Sequence, residues 1–590
     1  METTATPQAG TPTQRGAGTA KARGTSGSGL ITRGWAIVLI LLTLFALGVR
    51  LWNLDGEPPH VDELKQMREV QAPIGELTGL SYLHAQPPLD YYVGKAAVTV
   101  GGANDFAQRL PSAVFGSLAL GLAGLILIRF EYPWAGAGTV AFGAVTPTLL
   151  EYSQYARPYA LPLFLVVAAI AIYQQFRLRG FSWWTLIGFA AVSSLAVLSR
   201  ALMPFLALAV LGFLGLIAAR TQIGRWSPTA LIKTDPLALI VLPGVAVFVW
   251  LPSFIALRHY AGNYITRDAY QLWERLALAV ERFGDFGERA LQPLSLIVML
   301  AAVVAAIAVP ITRRGLVETV WLWLPILSTP LLFAIAHSLT TREGQFFATR
   351  YMVFLPLGVL IVISVAIESL IRGATALNRR LGMVSGISAL ALLAVVAVAP
   401  MASASYTLLT TIKSSDWPAT AAHIEAIESP GDVIVTIDTR PFRPGAWEFG
   451  WEARGRYYDG TSSDVRPMDI INGKRDEAVG AGRYHFVLFV PRVSGEALPE
   501  DWQVVELFGM TIATTPPLAS DDERTDAWWV LANYLRPDVA VMTQLAGLSL
   551  ENEWTGRPFY DWEGVILEQA EEMNLKDLAL SWLEKTSVDS

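Results

Sequence analysis

The stretch WAIVLILLTLFALGVRLWNLDGEPPHVDELKQM, residues 35–67, passes from a membrane-like composition to a strongly polar one. Its first part, residues 35–51, is apolar almost throughout and approaches the ~20 residues that an α-helix needs to cross a bilayer. Its second part brings four charged or titratable side chains close together: His60, Asp62, Glu63 and Lys65. Two interpretations of this polar part are open: an ordinary solvated loop, or a carboxylate held at the membrane surface for catalysis.

The composition of the whole chain places most of it in lipid. Of the 590 residues, 53% are hydrophobic and 16% are charged, and the mean hydropathy is +0.41. A soluble domain carries about 25% charged residues. The chain contains no cysteine, which excludes disulfides, cysteine-ligated zinc, iron–sulfur clusters and a thiol nucleophile.

Apolar stretches recur along the first two thirds of the chain and predict a multi-pass α-helical membrane protein with about eleven transmembrane helices. The predicted spans are residues 35–51, 109–128, 134–150, 159–176, 182–199, 201–219, 237–257, 293–311, 317–338, 351–371 and 383–405. A further stretch, residues 88–102, is short and contains Asp90 and Lys95. We therefore predict that the first external loop forms juxtamembrane helices along the surface. Residues 1–34, rich in Gly, Thr, Ala and Ser, predict a disordered cytoplasmic tail.

Cations between the spans indicate the orientation of the chain. If residues 88–102 do not cross, every second connection is cytoplasmic, because the spans then alternate in a fixed order. Those connections hold most of the loop cations: Arg129, Arg177, Arg179, Arg220, Arg225, Lys233, Arg313, Arg314, Arg372, Arg379 and Arg380. Lys and Arg accumulate in short cytoplasmic loops. We therefore predict a protein of the cell membrane with a cytoplasmic amino terminus and an external first loop, residues 52–108.

The last third of the chain has a different character. From Lys413 onward there are 31 acidic and 15 basic residues, whereas 20 acidic and 29 basic residues precede it. The segments DVIVTID and YHFVLFVPR have the pattern of buried strands, and DWPATAAHIEAIES predicts a helix. The predicted domains are a transmembrane catalytic domain, residues 35–407, and an extracytoplasmic α/β domain, residues 408–590. Its acidity argues against a nucleic acid as partner.

Short motifs in the external loops resemble one family of membrane enzymes. They are the Asp62–Glu63 pair, QPPLDYY at 86–92, RLPSA at 109–113, QYARPYAL at 154–161 and RYMVFLP at 350–356. In this order the motifs are similar to those of the GT-C fold glycosyltransferases. The most similar branch is the bacterial protein mannosyltransferase-like one, glycosyltransferase families 39 and 83. This branch includes the lipid A aminoarabinose transferase and actinobacterial arabinofuranosyltransferases. The resemblance extends from residue 35 to about residue 430.

The resemblance implies transfer of a sugar from a polyprenyl-phosphate carrier to an acceptor hydroxyl of a lipid, glycan or protein at the outer side. It implies that Asp62 is the general base, with Glu63 beside it, because a hydroxyl is a poor nucleophile until its proton is removed. It also implies two groups of binding residues: Arg157, Arg350, His84 and Gln86 at the donor phosphate, and Tyr91, Arg109, Tyr159 and Tyr351 in the substrate pocket. Gln86 stands where relatives have a Lys.

Other interpretations of the same residues stay open. An acidic pair in a loop is more often solvated than catalytic, and arginines at loop ends are also typical membrane-interface anchors. The resemblance leaves the cofactor open: some GT-C enzymes need a divalent cation and others do not, and Asp62 with Glu63 could hold Mg²⁺ or Mn²⁺. A multi-pass transporter or flippase is the rival function. Transporters place ionisable residues within their spans, whereas here such residues cluster outside them.

Overall fold

The structure is a computed structural model. It describes residues 33–57, 59, 63, 66–67, 69–83, 86–223, 228–260, 323–333, 335, 353–377, 399–410, 417–429, 432–438, 464–465, 482–489, 498–507, 510–520, 523, 527 and 530. Several sequence predictions fall outside these residues. They are the tail 1–32, the span 293–311, and the site residues Asp62, His84, Arg350 and Tyr351.

The first half of the chain is helical. Its helices are α1 (Arg33–Leu51), α2 (Leu77–Leu83), α3 (Leu89–Gly101), α4 (Asp105–Arg129), α5 (Pro133–Ala144), α6 (Pro147–Glu151), α7 (Ala160–Arg179), α8 (Trp183–Ser199), α9 (Leu202–Ile223) and α10 (Pro228–Thr234). A continuous helical run follows, made of a π-helix (Leu237–Val241), α11 (Leu242–Val245), a second π-helix (Ala246–Trp250) and α12 (Leu251–Tyr260). The later helices are α13 (Trp323–Phe333), α14 (Phe354–Leu377), α15 (Ala399–Thr410) and α16 (Trp417–Ile427).

Five helices among the described residues are long and apolar enough to cross a membrane: α1, α4, α7, α9 and the run Leu237–Leu257. Shorter apolar helices coincide with three more predicted spans: α8, α13 and the segment Phe354–Ser369 of α14. These helices confirm a helical membrane architecture, while the total of eleven spans stays a prediction.

The predicted span 134–150 is wrong as a single helix. The structure divides it into α5 and α6, with Val145 and Thr146 between them. Pro147 is the first residue of α6. Proline has no amide hydrogen, and its ring clashes with the preceding turn, so the helix ends before it and a new one begins.

Proline also accounts for the two π-helical segments. The amide of Leu242 donates to the carbonyl of Leu237, and the amide of Leu251 donates to that of Ala246. In each of these hydrogen bonds, which span five residues, the donor amide belongs to the residue just before a proline, Pro243 or Pro252. A proline ring clashes with the carbonyl four residues earlier, and the wider π turn relieves that clash.

Helix α4 lies at the centre of the packed helices, against α1, α5, α7 and the short α3. Glycines on α4 allow this close approach. A Cβ at Gly124 would lie 2.9 Å from the carbonyl oxygen of Gly136 on α5, and one at Gly121 would lie 2.5 Å from Thr43 Oγ1 on α1. Small residues at such contacts let helix backbones pack directly.

Helix α3 contains the stretch 88–102 that was predicted not to cross. Its 13 residues give a length of about 20 Å, which is short of the ~30 Å hydrocarbon core. Gly102 then takes φ +84°, and Asn104 caps α4 by accepting a hydrogen bond from the Ala107 amide at 2.8 Å. This turn connects the end of the loop 52–108 directly to α4.

The carboxy-terminal region contains a five-stranded mixed sheet of order β2-β1-β3-β5-β4. The strands are β1 (Val433–Asp438), β2 (Asp464–Val465), β3 (Tyr484–Phe489), β4 (Gln503–Leu507) and β5 (Met510–Thr514). Strand β1 is parallel to β2 and β3, whereas β5 is antiparallel to β3 and β4. The predicted helix and both predicted strands are present as α16, β1 and β3. The domain boundary and its extracytoplasmic side stay predictions.

Candidate active site

The side chain of Glu63 is fixed by a buried ion pair with Arg109 of α4. Arg109 Nε donates to Glu63 Oε1 and Arg109 Nη2 donates to Glu63 Oε2, each at 3.0 Å. The Glu63 side chain is 1% exposed and that of Arg109 is 3% exposed. Two parallel hydrogen bonds between a guanidinium and a carboxylate give both strength and a defined orientation. The pair therefore attaches the polar segment of the first loop to α4.

Two further loop segments are held by the same pair. Arg109 Nη1 donates to the carbonyl oxygens of Leu54 and Glu57, at 2.9 and 2.8 Å. The backbone amide of Ala156 donates to Glu63 Oε1 at 2.7 Å. We call the set formed by Glu63, Arg109 and Ala156 the loop clamp. Together with the Leu54 and Glu57 carbonyls, it joins the start of the first loop, the acidic segment and the loop between α6 and α7 at one buried point.

Two members of the loop clamp are sequence neighbours of residues with predicted roles in catalysis and phosphate binding. Glu63 is covalently adjacent to Asp62, and Ala156 is covalently adjacent to Arg157. Asp62 and Arg157 are thus sequence neighbours of Glu63 and Ala156, which are joined by a hydrogen bond of 2.7 Å. The structure gives Glu63 itself a fixed structural contact instead of the free carboxylate that a base requires.

Arg157 and Gln86, both predicted at the donor phosphate, are brought together. With its amide oxygen turned toward Arg157, Gln86 accepts hydrogen bonds from Nη1 at 2.9 Å and from Nη2 at 2.7 Å. Arg157 Nη1 also lies 3.5 Å from Gln66 Oε1. The Nε2 of Gln66 in turn donates to Oδ2 of Asp90, at the start of α3. A chain of polar contacts therefore connects Arg157 to a carboxylate that is only 8% exposed.

Arg200, which sequence analysis did not select, belongs to the same place. It follows α8, and its Nη1 donates to the carbonyl of Pro158 at 3.2 Å. Its guanidinium lies over the ring of Tyr159, 5.0 Å from the ring centre, a cation–π contact. Burial raises the pKa of Asp90, while the hydrogen bond from Gln66 and the charges of Arg157 and Arg200 act in the opposite direction. The sequence signal was a single cation between two apolar stretches on the predicted outer side.

Three of the predicted pocket residues, Tyr91, Tyr159 and Arg109, are buried and make contacts within the protein. Tyr91 is 0% exposed, packs with Val70 and Leu77, and donates to Glu69 Oε2 at 3.0 Å. Tyr159 is 3% exposed and packs edge-on against another buried tyrosine. Arg109 donates two hydrogen bonds to Glu63 and two to the backbone carbonyls of Leu54 and Glu57. Their role in the substrate pocket stays a prediction.

The loop clamp does not suit the divalent cation considered from the sequence. Oε1 of Glu63 already accepts two hydrogen bonds, and the Arg109 guanidinium lies against both oxygens. A positive group at this distance repels a metal ion. Within the described part of the chain, no three His, Asp or Glu side chains are grouped closely enough to hold one. No step of the mechanism is therefore assigned to a metal at Glu63.

Comparison with protein families identifies the segment that carries this site. Residues 61–261 match the model described as dolichyl-phosphate-mannose-protein mannosyltransferase. The resemblance to GT-C glycosyltransferases is confirmed over these residues. They include the loop clamp, Arg157 and Arg200. No curated protein matches the chain.

Solved structures of similar arrangement come from bacteria, yeast and an archaeon. ArnT from Cupriavidus metallidurans in the apo state is 13% identical, with a TM-score of 0.47, and the match covers 82% of this chain and 99% of that one. The S. cerevisiae protein O-mannosyltransferase Pmt1–Pmt2 complex, bound to the sugar donor, is 18% identical over 40% of this chain and 36% of that one, with a TM-score of 0.31. The Archaeoglobus fulgidus oligosaccharyltransferase in the apo form is 13% identical over 73% and 64%, with a TM-score of 0.44.

Proposed function

We propose that this protein transfers a sugar from a polyprenyl-phosphate donor to an acceptor hydroxyl at the outer face of the membrane. The observation that carries the proposal is the 2.7 Å hydrogen bond between the Ala156 amide and Glu63 Oε1. It joins the sequence neighbours of Asp62 and Arg157, inside the segment that matches the dolichyl-phosphate-mannose-protein mannosyltransferase model. A base and a phosphate-binding cation are the two groups that this reaction needs side by side.

The roles of the two groups follow from the chemistry of the transfer. Asp62 takes the proton from the acceptor hydroxyl as that oxygen attacks the anomeric carbon. The bond from that carbon to the phosphate oxygen breaks, and the phosphate leaves with its electron pair. Arg157 stabilises the charge that develops on the leaving phosphate. Arg350, His84 and Gln86 are assigned to the same phosphate by the motif resemblance.

Glu63 acts in this proposal by positioning. Its carboxylate is occupied by Arg109 and Ala156, so it cannot accept the acceptor's proton without breaking the loop clamp. The buried pair instead fixes Glu63, the residue that follows Asp62 in the sequence. A displacement of about 1 Å in a reacting group costs on the order of 10²-fold in rate, which is a sufficient reason for a rigid attachment.

The proposal includes a location and a set of partners. The sugar-bearing lipid reaches the site from the bilayer, the acceptor is a lipid, glycan or protein on the outer side, and the amino terminus is cytoplasmic. The sugar is a hexose or a pentose. The domain from residue 408 onward is assigned to acceptor choice or stability, because the clamp and the arginines described above all lie outside it.

Purified protein tests the proposal directly. It is incubated with a panel of radiolabelled polyprenyl-phosphate hexoses and pentoses, and release of polyprenyl phosphate is measured by thin-layer chromatography. We expect at least one donor to be consumed by the wild type. The Arg157→Gln variant should bind and consume that donor at least tenfold less well, and the matched Arg179→Gln variant, at the far end of α7, should behave as the wild type does.

A flippase or transporter predicts a different outcome. It moves the intact sugar-bearing lipid across the bilayer of a proteoliposome, without release of polyprenyl phosphate. Transport without hydrolysis or transfer, or equal donor consumption by the Arg157 and Arg179 variants, contradicts the proposal.

A further inference from the structure

Residues 152–159 form the loop between α6 and α7 and carry Arg157, the residue assigned to the donor phosphate. We call this segment the arginine loop. All of its residues are described, and they form turns and bends instead of a helix or strand. Its first two residues are buried, and a Cβ at Gly116 of α4 would lie 2.2 Å from Ser153 Oγ. The arginine loop therefore begins in direct contact with α4, and contacts with neighbouring elements determine its path.

Gln154 attaches the arginine loop to the end of α1. Its Nε2 donates to the carbonyl oxygen of Arg50 at 3.0 Å and to that of Trp52 at 3.2 Å. The last carbonyls of a helix have no partner within the helix, and they carry the partial negative charge of the helix end. The two hydrogens of the Gln154 amide match the two acceptors. The contact therefore depends on the amide group of Gln154 and on backbone atoms at the end of α1.

The end of α1 is itself attached to two other helices. The side chain of Arg50 is 0% exposed, and its Nη2 donates to the carbonyl of Gly143 on α5 at 3.2 Å. Arg109 of α4 donates to the carbonyl of Leu54 at 2.9 Å. The carbonyls that bind Gln154 thus belong to a backbone segment that is held from both sides.

Further contacts hold the arginine loop at alternate residues. The amide of Ala156 donates to Glu63 Oε1, and the carbonyl of Pro158 accepts from Arg200 Nη1. Positions 154, 156 and 158 are therefore each bonded to a separate element. A single bond of this kind fixes a point but lets the backbone turn about it, whereas a second bond on a nearby residue also fixes its direction. These contacts determine the direction of the backbone that carries Arg157.

We propose that Gln154 is a positioning residue for Arg157. By donating to the end of α1, the Gln154 amide sets the direction of the arginine loop, and the loop holds the Arg157 guanidinium where the donor phosphate binds. This inference rests on the proposed function, because it takes Arg157 to contact that phosphate. Gln154 itself touches neither the donor nor the acceptor in this proposal.

The expected effect follows from the geometry of phosphate recognition. A guanidinium binds a phosphate through paired hydrogen bonds, which require a defined orientation. A displacement of about 1 Å in such a group lowers the rate on the order of 10²-fold. Gln86 and Gln66 contact Arg157 from the first loop. Loss of the Gln154 amide should therefore misdirect the guanidinium without removing it from the site.

The test measures the binding of a donor analogue and the turnover of the donor. The probe is polyprenyl methyl phosphate, a phosphodiester without sugar, and its binding to the full-length protein is measured in detergent by isothermal titration. Gln154→Met keeps the length of the side chain and removes both hydrogen-bond donors. It should bind the probe about tenfold more weakly than the wild type and transfer sugar on the order of 10²-fold more slowly. If this variant does not fold, Gln154→Asn, whose shorter side chain does not span both carbonyls, takes its place and should act in the same direction.

Two variants serve as controls. Gln71→Met makes the same change at an exposed residue whose amide donates to the Met67 carbonyl of its own segment, and it should behave as the wild type does. Gln154→Lys restores a donor to the two carbonyls, as Lys95 does for the carbonyls of Gln71 and Ala72. It should bind the probe within about threefold of the wild type, because a cation also suits a helix carboxy terminus.

A double variant distinguishes positioning from general stability. If Gln154 acts through Arg157, adding Gln154→Met to Arg157→Gln should change the probe affinity by less than about twofold, because the group that Gln154 positions is already absent. A residue with a general structural role would cause the same loss in both backgrounds.

Three results would overturn the inference while leaving the proposed function intact. The first is normal probe binding and turnover by a folded Gln154→Met variant. The second is an undiminished loss when Gln154→Met is added to Arg157→Gln. The third is a loss in Gln154→Lys as large as that in Gln154→Met, which would show that donation to the α1 carbonyls does not matter. Absence of probe binding by the wild type itself would instead refute the donor class, and the proposed function with it.

Discussion

The loop clamp gives a sharp prediction about stability. Replacing Glu63 by Gln keeps the shape of the side chain and removes its charge, which leaves the Arg109 guanidinium buried without its carboxylate. Arg109 is 2% exposed, so water cannot replace the lost partner. Removing one partner of a buried ion pair costs about 3–5 kcal/mol. We expect Glu63→Gln to lower the free energy of unfolding by that amount.

The assay compares four proteins in the same detergent. Chemical unfolding in mixed micelles is measured for the wild type, Glu63→Gln, Arg109→Gln and the double variant. The double variant should be more stable than the sum of the single changes predicts, with a coupling of about 0.5–3 kcal/mol, because it no longer contains an unpaired buried charge. Glu76→Gln, which removes an exposed carboxylate from the same loop, serves as the matched control and should change stability by less than about 0.5 kcal/mol.

Two results would refute the buried pair between Glu63 and Arg109. If Glu63→Gln is as stable as Glu76→Gln, or if the single changes are additive in the double variant, then Glu63 and Arg109 do not form a buried pair in the protein. The positioning role of Glu63 would fall with that result, and Glu63 would return as a candidate base.

Three further predictions concern packing, metal and pH. Gly124→Ala should lower the free energy of unfolding by about 1–3 kcal/mol, because the added Cβ would meet the Gly136 carbonyl. The control Gly48→Ala should be neutral, because no atom lies within 4 Å of a Cβ at that position. Equal unfolding free energies for the two variants would refute the contact. Treatment with EDTA should leave donor turnover unchanged, since Glu63 is occupied by hydrogen bonds, and a loss restored by Mg²⁺ or Mn²⁺ would contradict this. Burial lowers the pKa of His485 in β3, so the unfolded state binds more protons than the folded state as the pH falls below about 6.5. This contribution to stability is fully present above that pH and declines below it. Hydrogen exchange of the β3 amides, corrected for intrinsic exchange rates, should therefore show faster opening at pH 5.5 than at pH 7.5. An opening rate that does not change with pH would contradict this prediction.

Much of the helical part was predictable because apolar length is a local property of the sequence. The spans 159–176, 182–199 and 201–219 are within a few residues of α7, α8 and α9. The stretch 134–150 failed because its apolar composition conceals Pro147, and a hydropathy argument does not register the missing amide hydrogen. The strands β1 and β3 were predicted because short runs of β-branched and aromatic residues bounded by Gly and Pro are also a local signal.

The site was predictable as a set of motifs but not as a set of roles. The sequence shows that Glu63 and Arg109 are charged, but not that two residues 46 positions apart form one buried pair. Paired and unpaired carboxylates look alike in a sequence. Arg200 was missed for the same reason, because its contacts with Pro158 and Tyr159 depend on how the helices pack. The assignment of Asp62 as base stays a prediction, and the loop clamp explains why its neighbour is the structural member of the acidic pair.

Whether Asp62 is the general base is measured by the turnover of an Asp62→Asn variant with the donor that the wild type consumes. Loss of a general base lowers the rate of the chemical step on the order of 10²–10⁴-fold, while affinity for polyprenyl methyl phosphate should stay within about twofold of the wild type, because the phosphate contacts are assigned to other residues. Glu76→Gln should show normal turnover in the same preparation. A folded Asp62→Asn variant that transfers sugar at a near-normal rate would contradict the account, since the carboxylate beside the loop clamp would then not be the base.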